Sequence, residues 1–298
     1  MASKRDAESL LVAVNDREQL HLRHFPGGTR HTTVVLLHGL CGDGSLYSRD
    51  ADSLASSLVR EGFDVWVPDL RGHGRSFPAL APGDEHGFHA AVVEDLATVM
   101  GELRDKAPEN PLYLVGHGTG GLLWLSFLAR WPIVREMVRG IVLVGSGAHL
   151  EPGASWSWQL RYGWWADWLA MRGKIIPGTA LNLGPGAESV RFYREIRRML
   201  ASASWLDPED GLDHAAQLRE LPDWPPTLIL AAEADAPWSG PQSARALQAM
   251  LPPHDGRLYV FPQATGVRLL GPKTALAGGP GGREVESLVL DWLAAFDG

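Results

Sequence analysis

This 298-residue chain has a single cysteine, Cys41. That excludes an intramolecular disulfide framework and any zinc site built from several thiolates. Positive charge is also short: 27 lysines and arginines stand against 35 acids, a formal charge of −8. A surface of that sign repels phosphate backbones, so sequence-independent nucleic-acid binding is not expected. Long apolar runs are missing as well. The longest nearly uncharged stretch, Leu112 to Ala129, is interrupted by Gly116, His117, Gly118, Gly120 and Gly121. It falls short of the ~20 predominantly apolar residues needed to cross a bilayer. Near the N-terminus the apolar run Leu10–Val14 follows charges at Lys4, Arg5, Asp6 and Glu8, and is too short for a signal-peptide core. The expectation is a soluble, cytoplasmic protein with no transmembrane segment. Its 34 glycines and 21 prolines stay below the ~25–30% that marks low complexity.

What is present is an ordinary globular balance, 45% hydrophobic and 21% charged. At this length one large α/β domain with an inserted subdomain is expected. Short apolar runs predict strands at Leu10–Val14, Gln19–Phe25, Thr33–Leu37, Asp64–Pro68, Leu112–Val115, Gly140–Val144, Thr227–Ala231 and Arg257–Phe261. Several are solid β-branched or leucine runs, as in strands buried on both faces of a parallel sheet. Helical patterns lie between them at Ser45–Glu61, Phe88–Lys106, Gly120–Arg130, Ser239–Leu251 and Glu284–Phe296. The first two strands have no helix between them and predict an antiparallel hairpin at one edge. From about Leu150 to Pro226 no strand pattern is evident. That segment reads as helical and is rich in tryptophan: Trp156, Trp158, Trp164, Trp165 and Trp168, with Trp205 and Trp224 further on. A helical insertion at this point predicts a cap over the carboxyl ends of the strands, where open α/β sheets bind ligands. The expected division is a core of 1–149 and 226–298 with a Trp-rich cap of 150–225.

Three segments carry the chemistry. Val34-Val-Leu-Leu-His38-Gly39-Leu40-Cys41-Gly42 is a strand running into a glycine-rich loop. Asp64-Val-Trp-Val-Pro-Asp69-Leu-Arg71-Gly72-His73-Gly74-Arg75-Ser76 is a strand ending in a tight loop. Leu114-Val-Gly116-His117-Gly118-Thr119-Gly120-Gly121-Leu122 is a strand, a sharp turn and a helix. In order and spacing they resemble the α/β-hydrolase family, in particular its lipase and polyester-synthase-like branch. The resemblance covers nearly the whole chain. It implies a mostly parallel eight-stranded sheet flanked by helices, with a helical cap insertion.

In that family the third segment is the nucleophile elbow, G-x-S-x-G, with the serine hydroxyl exposed above the sheet. Here the nucleophile position falls on Gly118, which has no side chain to acylate. By the same correspondence the acid position falls on Asp235, in Ala231-Ala-Glu-Ala-Asp235-Ala-Pro237-Trp238. The histidine position after the last strand falls on Gly266, or on Thr265 under a one-residue shift, and no histidine follows His254. Loss of a triad serine or histidine lowers kcat by about 10⁶, and losing both costs little more. A residual ~10³–10⁴ over water can survive from the oxyanion hole and binding. The resemblance places that hole at the amides of Thr119 and of Leu40 or Cys41.

Other residues carry a sharp and a bland reading. Thr119 and Cys41 are candidate substitute nucleophiles, against roles as a helix N-terminal residue and a buried filler. His117 and His73 belong to the fold motifs and read as packing and loop hydrogen bonding. His149, after the strand at Gly140–Val144, is the best-placed histidine for unconventional acid–base work beneath the cap. His86 and His89 with Asp84 and Glu85 lack the spacing and third ligand of a metal site, so no metal or cofactor is expected. Asp95 reads as structural, and Arg191, Arg194, Arg197 and Arg198 as a solvated helix face, with an anionic ligand or partner as the sharper alternative. Trp164, Trp165 and Trp168 read either as core or interface filler or as an aromatic wall around a lipophilic ligand.

The leading expectation is a pseudo-hydrolase binding an acyl, ester or aromatic small molecule. The alternatives are a non-serine enzyme (lyase, cyclase or cofactor-free oxygenase) using Asp235 and His149, a protein-interaction scaffold, and a weak esterase or lipase.

Overall fold

A computed structural model describes residues 7–27, 29–49, 52–151 and 160–296. In chain order its strands are β1 (Glu8–Ala13), β2 (Gln19–Phe25), β3 (Thr33–Leu37), β4 (Asp64–Asp69), β5 (Leu112–His117), β6 (Val138–Val144), β7 (Ile176–Pro177), β8 (Ala187–Glu188), β9 (Thr227–Ala232) and β10 (Gly256–Phe261). Eight of them form one sheet in the order β1-β2-β4-β3-β5-β6-β9-β10. β1 and β2 pair antiparallel at one edge, β2 joins β4 antiparallel, and the remaining pairs are parallel. The predicted edge hairpin and parallel sheet are therefore present, and the fold is that of an α/β hydrolase.

The alternation of the strands explains the layering. In β3, Val35 and Leu37 point into one apolar layer and Val34 and Leu36 into the other. β5 divides the same way, Leu112 and Leu114 against Tyr113 and Val115. Successive side chains of a strand alternate faces, so a strand apolar at every position requires cover on both sides. The helices Leu96–Lys106 and Thr119–Arg130 supply one cover. Gly282–Phe296, through Val285, Val289 and Leu293, supplies part of the other. None of the described helices is long and apolar enough to cross a membrane.

Two expectations need correction. The helix expected over Ser45–Glu61 is two pieces, Ser45–Ser48 and Leu54–Arg60. The segment expected to lack strands holds the two-residue pair β7 and β8, antiparallel and separate from the main sheet. A pair that short carries too little hydrophobic alternation to register as a pattern.

The loop after β4 is built from buried charge. Asp69 accepts hydrogen bonds from the Gly44 and Arg75 amides and the His21 ring. Arg71 donates to Asp95 through Nε at 2.7 Å and also reaches Glu94 and Glu18. Asp95 is thus the buried anchor of the loop, and burial lifts its pKa to about 6 against the pull of Arg71. His73 donates from Nδ1 to the Arg71 carbonyl (2.9 Å) and from Nε2 to Glu188 (3.1 Å), tying this loop to β8. With both nitrogens donating, the ring is an imidazolium.

Burial alone would lower the His73 pKa, but the Glu188 carboxylate outweighs it and raises the value from 6.5 to about 9. Burial would raise the Glu188 pKa, but His73 holds it below the ordinary value of 4.5. The His73 contribution to stability is complete below pH 6.5 and disappears as pH rises through about 9. The Glu188 contribution is complete above pH 4.5 and disappears as the carboxylate protonates at lower pH. Thermal melts should therefore show the wild type losing stability between pH 6.5 and 9. Glu188→Gln should start lower by on the order of 3 kcal/mol, since it breaks a buried pair, and decline less over that interval. A parallel decline in both proteins would contradict the assignment.

Candidate active site

The site is organised by the turn between β5 and the helix Thr119–Arg130. Gly118 sits at its tip with φ 52° and ψ −117°, a conformation that L side chains enter only with strain. The turn is held on both sides of that residue: the Gly118 amide donates to the Val144 carbonyl (2.8 Å) and the Gly118 carbonyl accepts from Ser146 Oγ (2.8 Å). Strand and helix meet so closely that a Cβ on Gly116 would lie 2.4 Å from the backbone of Gly121. A Cβ on Gly118, by contrast, would meet only the Leu270 Cδ2 methyl, at 3.2 Å.

Above this turn lies a cavity of about 140 Å³. Gly118, Thr119, Leu40, Asp235 and Leu270 line it, together with Tyr162, Leu183 and Trp238. Its floor comes from strand ends of the sheet and its far wall from the segment between β6 and β9. Tyr162 and Trp238 meet edge to face, with centroids 5.4 Å apart, joining the two parts.

Asp235 closes the short turn Glu233–Asp235 after β9 and is 5% exposed. Its Oδ2 accepts the Leu269 amide at 2.7 Å. Burial raises its pKa to about 6 although the Leu269 and Leu270 amides favour the charged form. The carboxylate therefore holds the 269–270 backbone, and the Leu270 side chain is directed to the space over Gly118. His117 also lines the cavity. Its Nε2 donates to the Leu269 carbonyl (2.6 Å), fixing the tautomer, and burial lowers its pKa to about 4, which keeps the ring neutral.

Several expected site residues lie elsewhere. Gly266 is exposed, in a left-handed turn with φ 67°, and a Cβ there would touch nothing within 4 Å. Thr265 is exposed too, its hydroxyl donating to the Pro262 carbonyl. The residue facing Gly118 is Leu270, four positions later than Gly266. The tight turn Gln263–Thr265 and the left-handed Gly266 use up residues before the chain reaches the cavity. Spacing from the last strand does not reveal such a detour.

Cys41 is likewise displaced. It is fully buried beside Gly178 and Gly184, its amide donates to Glu188 (3.3 Å), and its carbonyl accepts from Gly186. Burial and the nearby Glu188 charge push its thiol pKa well up, so it is neither an accessible nucleophile nor a free oxyanion donor. Leu40 is the member of that pair at the cavity. Among the described residues its amide has no hydrogen-bond partner. The Thr119 amide, at the first position of its helix, is one of the helix's unpaired N-terminal donors.

His149 does not line the cavity. Its backbone is clamped on both sides by Ser243 and its Nδ1 donates to the Leu150 carbonyl, which turns it away from acid–base work there. Trp164, Trp165 and Trp168 also stay outside. They line an open outer groove; Trp164 and Trp165 end the turn Leu160–Trp165, and Trp168 lies on the helix Ala166–Gly173, whose buried residues are Ala166 and Ala170. Trp205 and Trp224 are core residues, and Trp156 and Trp158 lie outside the described residues. His86 and His89 have different neighbours: the His86 carbonyl accepts from Ser189, and His89 pairs with Asp207 at 2.8 Å. The Asp207 and Asp210 carboxylates near His89 carry the Arg130 guanidinium, so a cation's place there is already filled. The arginine stripe is largely ion-paired, Arg191 with Glu195 and Glu209, and Arg194 and Arg197 with Asp167.

Leu270, Tyr162, Leu183 and Trp238 were not singled out from sequence. Trp238, three residues after Asp235, was the one with a usable signal.

Comparison with known proteins agrees with the fold. Residues 28–265 match the sequence model of the family described as serine aminopeptidase, S33. A 2-hydroxy-6-oxononadienedioate/2-hydroxy-6-oxononatrienedioate hydrolase of Pseudomonas putida is 28% identical over 140 residues, 47% of this chain and 45% of that protein. The human (lyso)-N-acylphosphatidylethanolamine lipase is 26% identical over 181 residues, 59% of this chain and 49% of that protein. The chain thus spans about half the length of these curated relatives. A soluble variant of the Saccharomyces cerevisiae monoglyceride lipase, in complex with a substrate analog, superimposes with a TM-score of 0.68 at 17% identity, covering 98% of this chain and 96% of that one. A thermophilic esterase from Thermogutta terrifontis gives 0.59 at 21% identity, covering 98% and 100%. At those identities the likeness is one of fold. The family match spans most of the chain, and the chain belongs to the serine aminopeptidase family of α/β hydrolases.

Proposed function

We propose that this chain binds a small acyl, aryl or ester ligand in the cavity over Gly118 and does not efficiently hydrolyse it, with residues 150–225 serving as the cap. The observation that carries this reading is the pairing of Gly118 with Leu270. Where a hydrolase of this family needs a hydroxyl and an imidazole, this chain offers a hydrogen and a methyl group 3.2 Å from the position of a Cβ. Asp235, at the acid position, is occupied with backbone amides, and among the described residues no imidazole bonds to it. The Leu40 and Thr119 amides remain suited to hold a ligand carbonyl. Binding without the covalent step is what such a set can do well.

Size narrows the ligand. An engineered apolar cavity of ~150 Å³ in another protein holds benzene, and this one is about 140 Å³. A ring or a short branched acyl group fits it, whereas a long chain has to leave through the opening. Calorimetric titration with non-hydrolysable amides should show benzoyl and short acyl groups binding best. Leu270→Trp should weaken them by at least about tenfold by filling the space. Binding unaffected by Leu270→Trp would place the ligand elsewhere.

Gly118→Ser tests the turn itself. The added Cβ would press on the Leu270 Cδ2 methyl at 3.2 Å, which the end of that side chain can relieve by a small shift, but φ is 52°. The variant should therefore fold and lose about 1–3 kcal/mol of stability in urea unfolding. A midpoint equal to or above that of the wild type would refute the strained geometry.

A further inference from the structure

The helical segment 160–173 presents its large residues outward. Trp164 is 77% and Met171 71% exposed, with Leu160, Trp165 and Trp168 also exposed, while Ala166 and Ala170 are buried. The inward face packs through small side chains on Ile176, Leu181 and Tyr193. Trp165 and Trp168 are stacked at 4.7 Å, and the tryptophans border an open groove of about 650 Å³. Folding has thus left the more costly apolar surface in water.

Charge identifies what covers it. The chain as a whole is strongly acidic at −8, yet residues 160–174 carry Arg161, Arg172 and Lys174 against one acid, Asp167. That acid is neutralised by Arg194 and Arg197 from the neighbouring helix. Arg161, Arg172 and Lys174 are exposed, and the Arg172 guanidinium lies over the Trp168 ring at 4.9 Å. Indole is apolar across its faces with one polar edge, and arginine and lysine extend a charged head from an apolar stem. Both settle at the boundary between hydrocarbon and headgroups. An apolar face rimmed by cations matches a membrane surface with negative headgroups.

We infer that the outward face of 160–173 docks on an anionic phospholipid bilayer, inserting Trp164 and its neighbours with Arg161, Arg172 and Lys174 at the headgroups. This docking does not depend on what the cavity holds.

The test is co-sedimentation of the full chain with vesicles of phosphatidylcholine alone and of phosphatidylcholine with 30 mol% phosphatidylglycerol. The expected result is salt-sensitive binding to the anionic vesicles and little to the neutral ones. Trp164→Ser with Trp168→Ser should remove it, and Arg172→Glu with Lys174→Glu should lower partitioning at least about tenfold. Both pairs of residues are exposed, so circular dichroism and melting temperature should stay near wild type. No binding to either vesicle, or equal binding to both, would overturn the inference. So would sedimentation showing a wild-type dimer that the tryptophan substitutions convert to monomer, since the occupant would then be a second copy.

Discussion

The site depends on how tightly β5 turns into the helix behind it. Gly116 lets strand and helix backbones touch, and Gly118 takes a positive φ at the tip, where its amide and carbonyl are both held by the end of β6 and the residues after it. This fixes the first helical turn, with the Thr119 amide at the cavity. The same close approach determines the neighbouring loop, since a Cβ on Gly39 would lie 2.5 Å from the His117 carbonyl. Leu40 and Thr119 thereby line the same cavity. Two amides are preorganised without any side chain, so on the proposed reading they can hold a ligand carbonyl whatever residue stands at position 118.

The second constraint is the carboxylate of Asp235. In a working triad such a group orients a histidine. Here it holds the Leu269 amide at 2.7 Å with Leu270 beside it, and so fixes the loop that closes the cavity. On the proposed reading this residue has kept its place and changed its task, from orienting an imidazole to positioning a leucine. The resulting chamber is small, and its lining combines Leu40, Leu183, Leu270 and Trp238 with Thr119, Asn182, Asp235 and Arg268. On the proposed reading that mixture serves a compact acyl or aryl group.

The sequence made the sheet legible because its signal is repetitive. Solid apolar strands such as Thr33–Leu37 and Thr227–Ala232 state that both faces are covered, and the glycines around position 118 state where strand and helix collide. Gly118, read from the motif at 116–120, and Asp235, read from the family correspondence, lie in one cavity, because the loops that carry them leave their strands by only a residue or a few. Gly266 does not join them, because the loop after β10 makes a tight turn and a left-handed step before it enters the cavity. Cys41 does not join them for a different reason: only the fold brings Glu188 and three glycines around that residue. Trp164, Trp165 and Trp168 were legible as unusual but not as outward-facing. Helical spacing gives two apolar faces here, and which one the protein covers depends on tertiary packing.

On the proposed reading Gly118 and Leu270 stand where covalent hydrolysis needs a hydroxyl and an imidazole. Hydrolysis of p-nitrophenyl acetate and benzoate, followed with mass spectrometry of the protein, tests it most directly. The wild type should match an inert-protein background and acquire no acyl adduct. Gly118→Ser combined with Leu270→His should gain an adduct and a rate at least about a hundredfold higher, and adding Asp235→Ala should remove most of that gain. A wild-type rate that Asp235→Ala abolishes, or an acyl adduct on the wild-type chain, would contradict the account.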